Sequence, residues 1–312
     1  MTSCAKDQEL IENNTHIPSA QVKDSIPEDN ITKEIPLPEP ETIPEPEPEE
    51  LAMVYKDTLK ILAIGNSFSE DALEHHLVEI AEADQYYFVV GNLYYPGAPL
   101  DFHWNNCSNN SAQYRYYRSD LYPTKGHINP STIQFALKDQ DWDYVSLQQA
   151  SNLSGMSTTF SPYLEQIINY VHQEVNTPTQ IILHQTWAYA PQSTHAGFAN
   201  YNNDQMQMFQ QIVAAYVQWE TIPSVALRIP SGTAIQNART TPLGTDLTRD
   251  GYHLDLRVGR YIAALTWYEK LTGHSVIGNT YRPANVSTQE IEWIQKAVHQ
   301  AVQHPNEITP IQ

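Results

Sequence analysis

The stretch "LKILAIGNSFSEDALEHHL" (Leu59–Leu77) changes character at its middle. Up to Gly65 it is a short apolar run, the pattern of a strand buried on both faces of a parallel sheet. From Glu70 to Ala83 the apolar residues Leu73, Leu77 and Ile80 fall at helical spacing. A strand, a tight Gly-Asn-Ser turn and a helix open a βαβ unit. Ser67 then stands at the carboxyl end of the strand, where open α/β sheets bind ligands. On this stretch alone two readings stay open. Ser67 or Ser69 caps the helix, or Ser67 is a nucleophile whose oxyanion the helix start favours.

The alternation continues along the chain. "YYFVVGNLYY" (Tyr86–Tyr95), "WDYVSLQQ" (Trp142–Gln149), "TQIILHQTW" (Thr179–Trp187) and "SVALRIP" (Ser224–Pro230) read as four more strands. "STIQFALKD", "SPYLEQIINYVHQEV", "NDQMQMFQQIVAAYVQWE", "RVGRYIAALTWYEKLTG" and "STQEIEWIQKAVHQAVQ" read as helices between and after them. Five strands alternating with helices predict an α/β fold: a three-layer α/β/α sandwich on a five-stranded parallel sheet, flavodoxin-like in type. The segment from Asn105 to Asn129 fits neither period. Its "YRYYRSDLY" suggests a hairpin or a lid inserted after the second strand.

Charge divides the chain. Residues 1–57 hold 14 acidic and 4 basic residues, and 8 of the 21 prolines lie in the first 50 positions. "IPLPEPETIPEPEPEE" (Ile35–Glu50) cannot pack: proline removes N–H donors and the glutamates repel each other. Extended at ~3.1 Å per residue, this tract spans roughly 50 Å. The expected organisation is an acidic tether over 1–57, a globular domain over 58–305 and a tail over 306–312. No cluster of Lys and Arg is present to bind nucleic-acid phosphate. No apolar run of 18 residues is present to span a membrane. Of the two cysteines, Cys4 in "TSCAKDQE" follows small residues and precedes a polar stretch, like the lipidated cysteine of a bacterial lipoprotein. The expectation is a lipid anchor at Cys4, with the leader removed and Met1 in its place. The tether would then hold the body off a membrane of the cell envelope, periplasmic or outer, of a Gram-negative bacterium.

The other strand ends supply what Ser67 needs. A serine hydroxyl requires a base within hydrogen-bond reach and a group that orients the base. "TRDGYHLD" (Thr248–Asp255) carries Asp250 and His253 three residues apart in a Gly-containing loop. At that spacing the carboxylate can turn back to the imidazole Nδ1 and leave Nε2 for Ser67. The second strand delivers Gly97. The third delivers Gln148, Gln149 and Asn152. The fourth delivers His184 and Trp187. A metal site built from Asp250, His253 and His184 is the competing use of these residues. The pair His75-His76 points about 100° apart on a helix and cannot chelate one ion.

"IGNSFS", "YYPGAPL" and "DGYHLD" together resemble blocks of the SGNH (GDSL-like) hydrolase superfamily. The further combination of "HQTWAY" and "IPSGTAIQNAR" looks like a little-characterised bacterial branch of it. The resemblance implies a nucleophile at Ser67, with Asp250 and His253 as its partners. It implies an oxyanion hole from the N–H groups of Ser67 and Gly97, completed by the amide of Asn152 or of Gln149. The chain departs from the usual blocks by Asn66 in place of Asp, and by Ala150-Ser151-Asn152 with no Asp following. The expected function is a cofactor-free serine esterase that removes acetyl or similar groups from a carbohydrate. Gln148, His184, Trp187 and Tyr252 are the expected substrate contacts; the tyrosines and tryptophans, Trp104 among them, offer stacking faces. The rival expectation is a surface glycan-binding lipoprotein that keeps the scaffold without turnover.

Overall fold

A computed structural model describes residues 55–121 and 126–312. Cys4, the Pro-Glu tract and the proposed lipid anchor lie outside the described residues. The body opens with β1 (Asp57–Gly65), whose last five residues are all buried. It is followed by α1 (Ser67–Leu73), α2 (Leu77–Ala83), β2 (Tyr86–Tyr94) and α3 (Leu100–Asn109). Then come β3 (Tyr114–Arg118), β4 (Gly126–Ser131), α4 (Ile133–Asp139), β5 (Tyr144–Leu147) and α5 (Tyr163–Glu174). The chain continues through β6 (Gln180–His184), α6 (Gln205–Trp219), β7 (Val225–Ile229) and α7 (Ser231–Ala238), and ends with α8 (Gly259–Thr272) and α9 (Thr288–Gln303).

The sheet has seven strands in the order β4-β3-β2-β1-β5-β6-β7. The expected five-stranded, all-parallel sheet is therefore corrected. Strands β2, β1, β5, β6 and β7 are parallel, but β3 and β4 join antiparallel at the β2 edge. Taken in sequence order, the five parallel strands run 2-1-3-4-5, the flavodoxin-like arrangement. Its switch point lies between β1 and β5, on either side of which consecutive strands depart in opposite directions. A crevice opens there beyond the carboxyl ends of the strands.

Three local expectations also change. The segment from Asn105 to Asn129 is not one insertion: it begins as the end of α3, and its tyrosines then form the β3–β4 hairpin. Tyr114 and Tyr116 are fully buried, so this aromatic run is sheet rather than lid. The helix read across Glu70–Ala83 is two helices, parted at His75-His76, with His76 in the left-handed region at φ 66°. Finally, the N-cap of α1 is Asn66 and not a serine: its Oδ1 accepts from the Phe68 N–H at 3.0 Å. Ser67 is thus the first helical residue, with its hydroxyl left for other work.

Helices α1, α2, α7, α8 and α9 pack with one another, and α3, α4 and α5 form a second group. The core is continuous, running from Ile61, Leu62 and Val90 in the sheet to Tyr261, Trp267 and Val298 in the helices. After α9 the chain folds back on α7: Asn237 Oδ1 accepts from the Thr309 N–H at 2.8 Å, and Thr240 Oγ1 from the Ile311 N–H at 3.0 Å. Among the described residues, no helix is long and apolar enough to cross a membrane.

Candidate active site

A cavity of about 240 Å³ opens at the switch point. Its wall includes Ser67 and Phe68 from α1, Tyr94, Pro96 and Gly97 after β2, Ser151 and Asn152 after β5, and Tyr252 and His253 before α8. The elements that deliver these residues are far apart in sequence. Only the parallel topology brings their ends together.

Ser67 Oγ lies 2.8 Å from His253 Nε2, and His253 Nδ1 lies 2.6 Å from Asp250 Oδ2. Asp250 Oδ1 also accepts the backbone N–H groups of His253 at 2.8 Å and Tyr252 at 3.2 Å. Burial pushes the Asp250 carboxyl up, but these hydrogen bonds outweigh it and hold the group below the ordinary aspartate value. An ionised Asp250 makes Nδ1 the donor and Nε2 the acceptor. The Ser67 hydroxyl then donates to Nε2, the direction in which a proton must move for the oxygen to attack.

A second carboxylate ties this loop to the helix of Ser67. Asp71 on α1 is fully buried. It accepts from Arg249 Nη1 with both oxygens at 3.0 Å, from Arg260 Nε at 2.7 Å and from the Leu254 N–H at 2.9 Å. Arg249 and Leu254 bracket the Asp250–His253 segment. One side chain four residues after Ser67 therefore fixes both ends of the segment that faces Ser67.

Not every predicted site residue reaches the cavity. Gln148 and His184 lie beneath it. Gln148 Nε2 donates to Asn66 Oδ1 at 2.8 Å, and His184 Nδ1 donates to Gln148 Oε1 at 2.7 Å. His184 Nε2 accepts from the Ser231 hydroxyl at 3.1 Å. Asn66 completes this chain by donating from Nδ2 to the Ala98 carbonyl at 3.0 Å. An ionised Asp at this position could not make that bond, having no donor to give the Ala98 carbonyl. Burial drives the His184 ring down to about 3, so it stays neutral. The metal set Asp250, His253 and His184 is not assembled, because both His184 nitrogens are taken. Among the described residues, no group of three or more His, Cys, Asp or Glu could hold a metal ion.

Gln149 is turned inward as well. Its Oε1 accepts from the N–H groups of Leu100 and Ala150, and its Nε2 donates to Thr159. Of the two amides proposed at this strand tip, only Asn152 lines the cavity. Trp187 is fully buried; it stacks on Phe68 at 4.2 Å and donates from Nε1 to the Tyr252 carbonyl at 2.8 Å. It braces the site from below and offers no open face. Tyr252 does line the cavity, and Trp104 and the described part of the hairpin do not. The sequence reading missed one cavity residue with chemistry, His195. It sits in the long connection after β6, where no periodicity marks it; length alone flags that connection.

Comparison with known proteins follows the same core. Residues 60–301 match the family model described as a domain of unknown function, DUF4886. A DUF4886 family protein from Bacteroides uniformis shares 43% identity over 81% of this chain and 98% of its own, with a TM-score of 0.79. A candidate SGNH hydrolase from Slackia heliotrinireducens shares 20% identity over 68% of this chain and 98% of its own, with a TM-score of 0.45. A catalytic mutant of Axe2, an acetylxylan esterase from Geobacillus stearothermophilus, shares 14% identity over 73% of this chain and 97% of its own, with a TM-score of 0.42. No curated protein sequence matches significantly. On the family match and the 43% identity, the chain belongs to the DUF4886 family.

Proposed function

We propose that the protein is a serine ester hydrolase. The observation that carries this reading is the unbroken relay from Asp250 through His253 to Ser67, 2.6 and 2.8 Å long, ending in a cavity at the sheet's switch point. Ser67 Oγ attacks the ester carbonyl while His253 Nε2 takes its proton. The same nitrogen returns that proton to the departing alcohol, leaving an acyl-serine. Water then attacks the acyl-serine, His253 again takes the proton, and the acid leaves as Ser67 is restored. Asp250 holds the tautomer and stabilises the imidazolium without accepting its proton. The tetrahedral oxyanion is assigned to the N–H groups of Ser67 and Gly97 and the Asn152 amide. The Ser67 N–H opens a helix, where it has no acceptor within the helix.

The substrate proposed is an acylated carbohydrate, with acetyl as the acyl group. A cavity of about 240 Å³ is smaller than the roughly 300–1,000 Å³ of drug-sized pockets, which suits a short acyl group. Tyr94 and Tyr252 on its wall offer flat faces for a sugar ring. Tyr94 is itself steadied by the Arg115 guanidinium, 4.5 Å from its ring centre. The deciding experiment is turnover of p-nitrophenyl acetate by wild type and Ser67→Ala, with fluorophosphonate labelling of both. Loss of turnover and of labelling in the variant supports the reading; equal rates in both would sink it. A folded wild type that binds glycans yet neither turns over esters nor labels would instead be a glycan-binding protein. What motivates that rival is the departure after the third parallel strand, Ala150-Ser151-Asn152 with no Asp following.

We further propose that Cys4 carries a lipid and that the acidic tract tethers the domain to the cell envelope. Mass spectrometry of the native protein tests this: an unmodified Cys4 thiol refutes it.

A further inference from the structure

We infer that His195 is the residue that selects the alcohol portion of the substrate, through an Nε2–H donor aimed at a hydroxyl or ring oxygen of a polyol. This inference rests on the ester-hydrolase reading and assigns a recognition role to a side chain outside the triad.

Three observations carry it. First, the tautomer is fixed. The Gly197 backbone N–H donates to His195 Nδ1 at 3.0 Å, so Nδ1 is the acceptor and the ring proton sits on Nε2. Protonating the ring would turn Nδ1 into a second donor facing that N–H. Burial, with the nearby His253 charge adding to it and Asp250 opposing, also holds the ring below the ordinary histidine value. His195 therefore offers the cavity a neutral donor, not an acid, a base or a cation.

Second, the fold seats this residue by two close approaches that only glycine permits. A Cβ on Gly197 would lie 2.3 Å from Asn152 Cβ, and a Cβ on Gly251 would lie 2.9 Å from Ser193 Cα. The Ala190 N–H also donates to the Gly251 carbonyl at 2.8 Å. The His195 segment is thus wedged between the β5 tip and the loop that carries Asp250 and His253.

Third, the position faces the leaving group. The departing oxygen must lie within reach of His253 Nε2 to receive its proton. The Tyr252 ring lies 4.1 Å from the His253 ring, and the His195 ring 4.8 Å from the Tyr252 ring. Through the Tyr252 ring, His195 is thus one ring removed from the histidine at which the alcohol departs, and both line the same cavity. A neutral donor beside an aromatic face matches a sugar, which presents acceptor oxygens at its rim and a C–H face to an aromatic ring.

The test compares two acetyl esters that differ in the alcohol: p-nitrophenyl acetate, and a methyl xyloside carrying one O-acetyl group. The key variant is His195→Asn, whose Oδ1 can still accept the Gly197 N–H and keep the turn while the Nε2–H is lost. The expected result is a fall of about 10-fold in the ratio of kcat/KM, xyloside acetate over p-nitrophenyl acetate, the size of one neutral hydrogen bond. Gln at the same position keeps an N–H donor at the end of its side chain and should recover part of the ratio. A ratio within twofold of wild type in His195→Asn overturns the inference. So does an equal loss on both esters, which would mark His195 as a purely structural support. If Ser67→Ala turns over both esters as wild type does, the hydrolase reading has failed, and this inference falls with it for that separate reason.

Discussion

Two histidines stand at the carboxyl edge of the same sheet, each in the middle of a hydrogen-bonded chain, and they do opposite things. His253 is held by an ionised carboxylate and presents its second nitrogen to Ser67 on a cavity wall. His184 is held by a neutral amide, is fully buried, and gives its second nitrogen to Ser231. The partner on Nδ1 makes the difference. A carboxylate stabilises the imidazolium and so makes a base of the ring; an amide does not, and burial then drives the ring's proton affinity down. One chain ends at the cavity wall, where the proposed reaction takes place, while the other sets the positions of Asn66 and Ala98 beneath it.

The comparison can be broken at its strongest point first. On the proposed mechanism, Asp250→Asn, with its wrong tautomer, should lower kcat by about 10⁴-fold at pH 7, and His253→Ala by at least as much. Asp250→Asn also carries a pH signature. A carboxyl whose folded pKa lies below its unfolded value contributes stability that is present above that unfolded value and is lost as the pH falls through the folded one. The stability gap between wild type and variant should thus be open at pH 7 and close as the pH drops below about 4; a gap that widens in acid contradicts it.

Asp71→Asn probes the strut between the helix of Ser67 and the loop of His253. Two arginines lose their carboxylate, and breaking such a buried pair costs about 3 kcal/mol; urea titration reads it. Because Arg249 and Leu254 bracket the Asp250–His253 segment, kcat should fall as well, and fluorophosphonate labelling of Ser67 should slow. A variant that loses stability and labels at the wild-type rate would remove Asp71 from the positioning of the site.

His184→Ala should act in the reverse sense to His253→Ala. It leaves the Gln148 Oε1 and the Ser231 hydroxyl without their His184 partner in the interior, for a loss of about 2 kcal/mol and a change in kcat far smaller than that of His253→Ala. A 10⁴-fold loss of kcat would move His184 into the reacting chain and erase the contrast. The smallest expected effect belongs to neither region. Glu290, which closes the capping box of α9 and pairs with Arg257, is held down to about 2 by the Ser287 N–H, Arg257 and the Ser287 hydroxyl. Glu290→Gln should cost about 1 kcal/mol at pH 7 and progressively less as the pH falls from the unfolded glutamate value towards 2, with activity untouched.

The amino-acid sequence reveals the parts of this arrangement that are local. A buried strand announces itself by an apolar run, so the five parallel strands are visible, and so is the serine at the end of the first. Asp250 and His253 are visible because three residues suffice for a carboxylate to reach an imidazole. Depth is not local. Gln148, His184 and Trp187 end strands just as Gly97 does, and nothing in their spacing tells that they lie under the cavity and not on its wall. The edge hairpin is missed for a related reason: the run Tyr114–Arg118 is rich in tyrosine, as a strand can be, but which sheet edge receives it depends on β2 being unpaired on one side. His195 is invisible because its role is defined by a backbone N–H two residues away and by two glycines, one of them more than 50 positions downstream.

The antiparallel hairpin has a consequence beyond topology. A parallel sheet that ended at β2 would expose a long, regular row of unsatisfied backbone groups next to apolar side chains, a template for further strands. β3 covers that row. β4, now outermost, is six residues long, three of them exposed; it contains Pro130, which has no N–H to offer, and its register slips against β3 between Tyr114 and Tyr116. A neighbouring chain meets a broken, water-facing margin there and cannot continue the ladder. Among the described residues none of this hairpin lines the cavity; what it gives the sheet is an edge poorly shaped for another strand to pair with.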